Sequence, residues 1–335
     1  LPPDVKQAGS KIHSRGFLGI SGQMDLTKKN ILLTGGGGFL GKHVFKKLLE
    51  RGVPAENIFV PRSKEYDLRD AAVCEKLVQG KDVIIHLAAA VGGIGFNRKF
   101  PGKAFYDNAS MAMNLLESFR KGGGEKFVGI GSVCAYPKIL PAPFSENDLW
   151  NGYPEETNAP YGLAKKMMLV QSQAYNREYG TNAIHLLMVN LYGPEDNFHP
   201  EHSHVIPALI DKIAEAKKNN RPAVEVWGTG KASREFLFAE DAAEAIVFAA
   251  EKYNSIEPVN IGSGQEVSIK DLVDVICRLV GFNGEIRWNV DKPDGQPRRV
   301  LDVSRAEKEF GFKAQTTLEA GLKKTIDWYY NVYKK

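Results

Sequence analysis

The chain has 335 residues, is 43% hydrophobic and 25% charged, and sets 44 Lys and Arg against 40 Asp and Glu for a formal net charge of +4. Those charges are scattered, which argues against a nucleic-acid-binding stripe and leaves room for a basic pocket around a small anion. Three cysteines without a C-x-x-C pair argue against a disulfide framework or a thiolate zinc site and for a reducing cytoplasm, and no apolar run nears the ~18 residues that a membrane span needs.

Residues 1–23 begin without Met and lack a long apolar segment, so they read as a leader, a tag or a mobile arm. From Asn30 onward, β-rich runs alternate with amphipathic helical patterns. Strands are expected at NILLT, NIFVP, DVIIHLA, KFVGIGSV and AIHLLMVN, with helices over GKHVFKKLLERG and AFYDNASMAMNLLESFRKGG. Apolar strands joined by helices make right-handed βαβ units. The expectation for residues 24–193 is therefore a doubly wound parallel sheet covered on both faces, a Rossmann-type α/β domain. Beyond Tyr192 the pattern loosens into a helix at PALIDKIAEAKKN, a strand at VEVWG and a helix starting near Asp241. The segment EPVNIGSG, a helix from Ser268 or Lys270 and the amphipathic TLEAGLKKTIDWYYNVY close the chain. Residues 194–335 then form mainly a smaller, mixed α/β domain for the substrate, with 236–262 returning to the larger one. It is expected over the carboxyl edge of the sheet, where ligands of open α/β sheets bind.

Directly after the first strand, TGGGGFLGKHV reads as G-x-G-x-x-G through Gly36, Gly38 and Gly41, or as G-x-x-G-x-x-G through Gly35, Gly38 and Gly41. In either register the glycines permit a tight turn that brings backbone N–H groups and a helix N-terminus onto a pyrophosphate. An NAD site usually carries an acid about 20 residues further on, to hold the ribose 2′-OH. Here the second strand ends in Pro61, Arg62, Ser63 and Lys64. Cations and a hydroxyl suit a 2′-phosphate, so NADP is favoured over NAD.

GSVCAYP at 131–137 ends an apolar run, and NAPYGLAKK follows with Tyr161 and Lys165 one helical turn apart. A phenol is a poor acid–base group near neutrality without a cation beside it, and Lys165 would be that cation. A hydroxyl from Ser132 could hydrogen-bond a substrate carbonyl while Tyr161 exchanges the proton and a nicotinamide moves the hydride. The same spacing recurs at Tyr330 and Lys334, without a preceding serine, and is assigned to ordinary helix surface. His199, His202 and His204 cluster, but Pro200 interrupts them and no Cys or paired acid completes a set, so no metal is expected.

Together these residues resemble the extended short-chain dehydrogenase/reductases that act on nucleotide sugars. Within them the likeness is to the branch that epimerises C3 and C5 and reduces C4 of GDP-4-keto-6-deoxy-D-mannose. The resemblance runs from about Lys29 to Tyr330, and its most specific pieces are AAAVGGI, GSVCAYPK, NLYGPEDNFHPEHSHVIPAL, VWGTGKASREF and KPDGQPRRVLDVSR. It implies that Cys134 and His204 are the acid/base pair of the epimerisation. It implies that Phe39, Leu40, Leu87, Ala88, Ala89, Asn190, Leu191 and His204 line the dinucleotide along with the glycine turn, Arg62, Ser63, Tyr161 and Lys165. Asn190, Lys212, Trp227, Arg234, Asp294 and Arg299 would hold the GDP-linked sugar, with cations on the diphosphate. A homodimer is implied as well. The competing reading is a redox-neutral nucleotide-sugar epimerase that retains NAD.

Overall fold

The computed structural model describes residues 23–92, 94–199, 203–292 and 294–334. The expectations for residues 1–22 and for His202 fall outside these.

The apolar runs form the strands of one central sheet. β1 (Ile31–Thr34) is buried at every position and leads into α1 (Phe39–Glu50), the edge strand β2 (Ile58–Phe59), α2 (Ala71–Leu77) and β3 (Val83–His86). Next come α3 (Ile94–Lys99), α4 (Pro101–Gly122), β4 (Lys126–Ser132), α5 (Ala159–Tyr179), β5 (Ala183–Met188) and β6 (Asn190–Tyr192). The chain then passes through α6 (Val205–Lys218), β7 (Ala223–Trp227), β8 (Ser233–Phe238), α7 (Ala239–Lys252) and β9 (Val259–Ile261). It finishes with β10 (Glu266–Ser268), α8 (Ile269–Val280), β11 (Glu285–Asn289), α9 (Ser304–Phe310) and α10 (Leu318–Trp328).

The main sheet has six strands, all parallel, in the order β2-β1-β3-β4-β5-β9. Strand order reverses between β1 and β3, and such a switch point opens a crevice beyond the strand carboxyl ends. Thr34 stands opposite His86, so the turns that follow β1 and β3 leave the sheet at one level. On one face Leu33, Val44, Leu48, Ile246 and Ala250 pack between the sheet, α1 and α7. On the other, Leu32, Leu116, Phe119, Phe127 and Met168 pack beneath α2, α4 and α5. Each large side chain buried there contributes about 1.5–3 kcal/mol of apolar transfer.

A second lobe carries the sheets β10-β8-β6 and β11-β7 around a core that includes Ile210, Ile213, Ile276 and Leu322. β8 runs straight into α7, and β9 then joins β5 at the edge of the main sheet. β8 escapes a reading of the sequence because Arg234 and Glu235 break its apolar pattern. Glu235 is fully buried and its carboxylate accepts from the N–H groups of Gly264 and Leu301 at 2.7 Å each.

Two elements are shorter than their patterns suggest. NIFVP yields only Ile58–Phe59 as strand, since Ala55–Asn57 coil into a 3-10 turn and Pro61 has no N–H to pair. The closing helix stops at Trp328, and Tyr329–Tyr333 form a π turn with Lys334 N donating to Tyr329 O at 3.0 Å. That turn packs the tilted rings of Tyr329 and Tyr333 against Phe198 and lets the Tyr329 hydroxyl donate to Asp211 at 2.8 Å. Lys334 pairs with Asp211 and Glu215, which accounts for the second Tyr/Lys pair structurally. Among the described residues no helix is long and apolar enough to cross a membrane.

Candidate active site

A cleft of about 2430 Å³ opens at the switch point and continues between the two lobes. Ligand pockets commonly span ~300–1,000 Å³, so this one has room for two large ligands side by side. Its floor is the glycine turn. Gly35 has a φ of +73°, and a Cβ there would stand 2.6 Å from Ala88 N. A Cβ on Gly41 would collide with the Gly35 carbonyl, so the first turn of α1 can lie against the loop only without a side chain. Gly38 caps α1. Gly35, Gly38 and Gly41, the glycines of the second register, all line the cleft. Gly36 does not line the cleft: its N–H is spent on Leu33 O and a Cβ would face Val60 at 2.8 Å. Phe39, Leu40, Leu87, Ala88 and Ala89 complete the floor. This backbone cradle, open above a helix N-terminus, fits the pyrophosphate of a dinucleotide. Arg62 lies across it, so close that any side chain at Gly37 would strike its guanidinium. Ser63 lines the same rim and Lys64 does not.

Ser132 ends β4, and its hydroxyl accepts from Cys134 N at 3.1 Å, turning the chain into the 3-10 helix Val133–Ala135. α5 begins with Ala159 and Pro160, and Gly162 in its first turn presses on that 3-10 segment, where a Cβ would hit the Cys134 carbonyl. This close approach brings Tyr161 to Ser132 and Cys134. Burial holds the Tyr161 phenol well above its ordinary range, the Cys134 sulfur adds to the effect, and a hydrogen bond with Ser132 offsets part of it. The phenol is therefore protonated near neutral pH. Lys165 places Nζ 5.7 Å from the centre of the Tyr161 ring, and burial lowers its ammonium to about 8.

The other lobe supplies the opposite wall. His204 is the N-cap residue of α6; its ring is open to water in the cleft, yet the protein around it disfavours the charged form and lowers its titration. Asn190 and Leu191 lie on β6 beside it, and the Asn190 amide donates to Glu235 O at 3.0 Å. Further out, Trp227 is 62% exposed and has Lys292 Nζ 5.6 Å from its ring centre. Lys212 donates to Glu225 O at 2.9 Å. Arg234 donates to the carbonyls of Ser233, Gln296 and Asp294, and desolvation followed by the Arg299 charge lowers it to about 10. Asp294 spends both carboxylate oxygens on Thr229, at 2.6 Å to its N–H and 2.7 Å to its hydroxyl, and so braces the turn instead of a neighbouring cation. Arg299 stands apart from the outer wall: its guanidinium lies against Cys134, 3.8 Å from the sulfur.

Three participants escape a reading of the sequence. Thr34 Oγ1 meets His86 Nδ1 at 2.8 Å beneath the glycine turn, and burial lowers His86 to about 3, so it is neutral. A histidine inside the apolar run DVIIHLA is the one signal that could have marked it. Gln296 links Lys138 O to the Arg299 guanidinium, and no sequence pattern announces that role. Among the described residues no group of three His, Cys, Asp or Glu side chains could hold a metal ion.

Residues 31–262 match the NAD dependent epimerase/dehydratase family, and the chain belongs to it. It is 41% identical over 312 residues to GDP-L-fucose synthase 1 of Arabidopsis thaliana, covering 92% of this chain and 95% of that one. The GDP-L-fucose synthase of Escherichia coli K12 is 35% identical over 314 residues, covering 91% and 97%. A crystal structure of a GDP-L-fucose synthetase from Naegleria fowleri bound to NADP superposes with a TM-score of 0.83 at 30% identity, over 94% of this chain and 98% of that one.

Proposed function

We propose that this enzyme is an NADPH-dependent 3,5-epimerase and 4-reductase that converts GDP-4-keto-6-deoxy-D-mannose to GDP-L-fucose. The observation that carries the reading is the meeting of Ser132, Cys134, Tyr161, Lys165 and His204 on one cleft whose floor is a dinucleotide cradle. NADP(H) is the cofactor, and when bound it supplies the hydride for C4. Gly35, Gly38 and Gly41 would seat its pyrophosphate, and Arg62 with Ser63 its 2′-phosphate.

The chain's own residues then work on the C4 ketone. A proton next to a ketone is acidic because its electron pair moves onto the carbonyl oxygen. Cys134 takes the proton from C3 or C5 on one face of the sugar, and His204 returns one on the other. Ser132 and Tyr161 donate hydrogen bonds to the oxygen while it carries the enolate charge. In the reduction the same oxygen becomes an alkoxide, and the Tyr161 phenol protonates it. Burial keeps that phenol protonated beforehand, which suits a donor. Lys165 stabilises the phenolate left behind. Arg234, Trp227 and Lys212 hold the GDP half further along the cleft. His204 must carry a proton in order to return one, and because the protein around it disfavours the charged form, the protonated ring gives that proton up readily and is recharged from solvent.

The test is a reaction in deuterated water with NADPH and GDP-4-keto-6-deoxymannose. Stoichiometric NADPH oxidation and a product labelled at both C3 and C5 are expected. Purified protein that carries NAD and interconverts sugars with no net cofactor turnover would overturn the reading. Arg62→Ala is expected to raise the KM for NADPH about 10- to 100-fold and leave kinetics with NADH unchanged, since only the charge-assisted bonds to a 2′-phosphate are lost. Steady-state rates with both cofactors check it.

A cytoplasmic homodimer belongs to the same proposal. Tyr106 and Met113 on α4 and Val170 on α5, two helices packed side by side, are apolar and exposed, as a self-pairing helical face requires. The cysteines Cys74, Cys134 and Cys277 are all free, which suits a reducing compartment.

A further inference from the structure

The sulfur of Cys134 has a charged neighbour from far along the chain. Arg299 is only 8% exposed, and its Nη1 lies 3.8 Å from Cys134 Sγ. Nη2 donates to the side-chain carbonyl of Gln296, a neutral group, and the buried Nε has no hydrogen-bond partner among the described residues. Two arginines close by in sequence have carboxylate partners: Arg298 pairs with Glu266 at 2.6 Å, and Arg305 stands 3.7 Å from Glu146. Arg299 has no such carboxylate among the described residues. A guanidinium removed from water without an anion is costly, so this placement calls for a negative charge at contact distance.

The position of Arg299 is held from several sides. Phe144 N donates to Val300 O at 2.8 Å, and Leu301 N donates to the buried Glu235 carboxylate at 2.7 Å. Gln296 Nε2 donates to Lys138 O at 2.9 Å, which fastens the 294–297 loop to the segment that carries Cys134. The strip that carries Arg299 is thus tied on either side of it, through Gln296 to Lys138 and through Val300 to Phe144, to the chain that follows Cys134.

We infer that Arg299 is a positioning residue for the epimerisation: it sets a fixed positive charge against the Cys134 sulfur and keeps that sulfur on the cleft. A cation beside a thiol favours the anion, which is the form that accepts a proton. As the sulfur–hydrogen bond forms, the sugar carbon–hydrogen bond breaks and its electron pair passes to the C4 oxygen. Arg299 keeps its charge and its place throughout. This inference rests on the proposed role of Cys134 as base, and it replaces the diphosphate role that sequence resemblance implies for Arg299.

The test uses the full chain with Arg299→Met and Arg299→Lys, and it reads Cys134 directly. Alkylation by iodoacetamide near pH 7, without substrate, is followed at the Cys134 peptide by mass spectrometry, with the Cys74 and Cys277 peptides as internal references. The Met variant is expected to slow Cys134 alkylation about 10-fold or more, and the Lys variant to restore it to within a few-fold of the native rate. In turnover, the Met variant is expected to lower kcat for solvent-deuterium incorporation while the KM for the GDP-sugar stays near native. Native alkylation rates in the Met variant, or a raised KM at unchanged kcat, would overturn the inference and assign Arg299 to substrate binding. Arg299→Gln keeps hydrogen-bonding capacity without charge and is read in the same way if the Met variant does not fold. Full deuterium incorporation by Cys134→Ser would remove the base role while leaving the alkylation result intact, so the two failures are separable.

Discussion

Cys134→Ser is expected to lower solvent-deuterium incorporation at C3 and C5 by about 10²- to 10⁴-fold, the range lost with a general base. The exchange of sulfur for oxygen changes volume little, and the backbone around the 3-10 turn keeps its bond to Ser132. An aliphatic hydroxyl gives up its proton far less readily than a thiol, so the variant has no anion to offer the sugar carbon. Ser132, Tyr161 and Lys165 are untouched, and any NADPH-dependent product that the variant forms is expected to carry no label at either carbon. Nuclear magnetic resonance of the product, with the total of NADPH oxidised, separates the two activities. Label retained at the native rate would place the base elsewhere.

Lys165→Met is expected to move stability and activity in opposite directions. Burial alone lowers the Lys165 ammonium to about 8 from its ordinary 10.5, so folding must strip water from a cation. Between these two values the unfolded chain holds more protons than the folded one, and stability rises with pH across that window. Below about pH 8 the penalty is present in full, up to roughly 3 kcal/mol on the usual conversion. Methionine fills similar space without charge. The variant free of cofactor is expected to unfold at a higher temperature than the native protein below pH 8, with the difference fading towards pH 10.5. At the same time the phenolate of Tyr161 loses its cation, and kcat for NADPH oxidation is expected to fall about 10²-fold or more. Thermal melts at several pH values and steady-state assays give both readings. A variant no more stable than the native protein near neutral pH would mean that the Lys165 ammonium is well solvated.

Much of the main sheet was legible because its inner strands are buried on both faces and so appear as continuous apolar runs. β1, β3, β4 and β5 all come from such runs. β2 is the exception that explains the rule, an edge strand cut short by Pro61 and by the 3-10 turn before it. β8 was hidden because its buried Glu235 is satisfied by backbone N–H groups from two distant loops, and a period-2 pattern has no means of registering such partners.

Local sequence also determined the parts of the site whose chemistry lies within a turn or two of chain. The glycine turn, the Tyr161 and Lys165 pair on one helix, and the serine and cysteine of GSVCAYP are of this kind. Tertiary structure decided the rest, since it alone brings segments far apart in sequence within ångströms of each other. It set Gly35 against the backbone of Leu87 and Ala88, just past β3, where no Cβ fits. It tied Asp294 to Thr229, and it set Arg299 on the sulfur of Cys134. An arginine in KPDGQPRR reads as a surface charge or a phosphate clamp until the loop folds back across the cleft. Its environment, and therefore its chemistry, is a property of that fold and not of its neighbours in the chain.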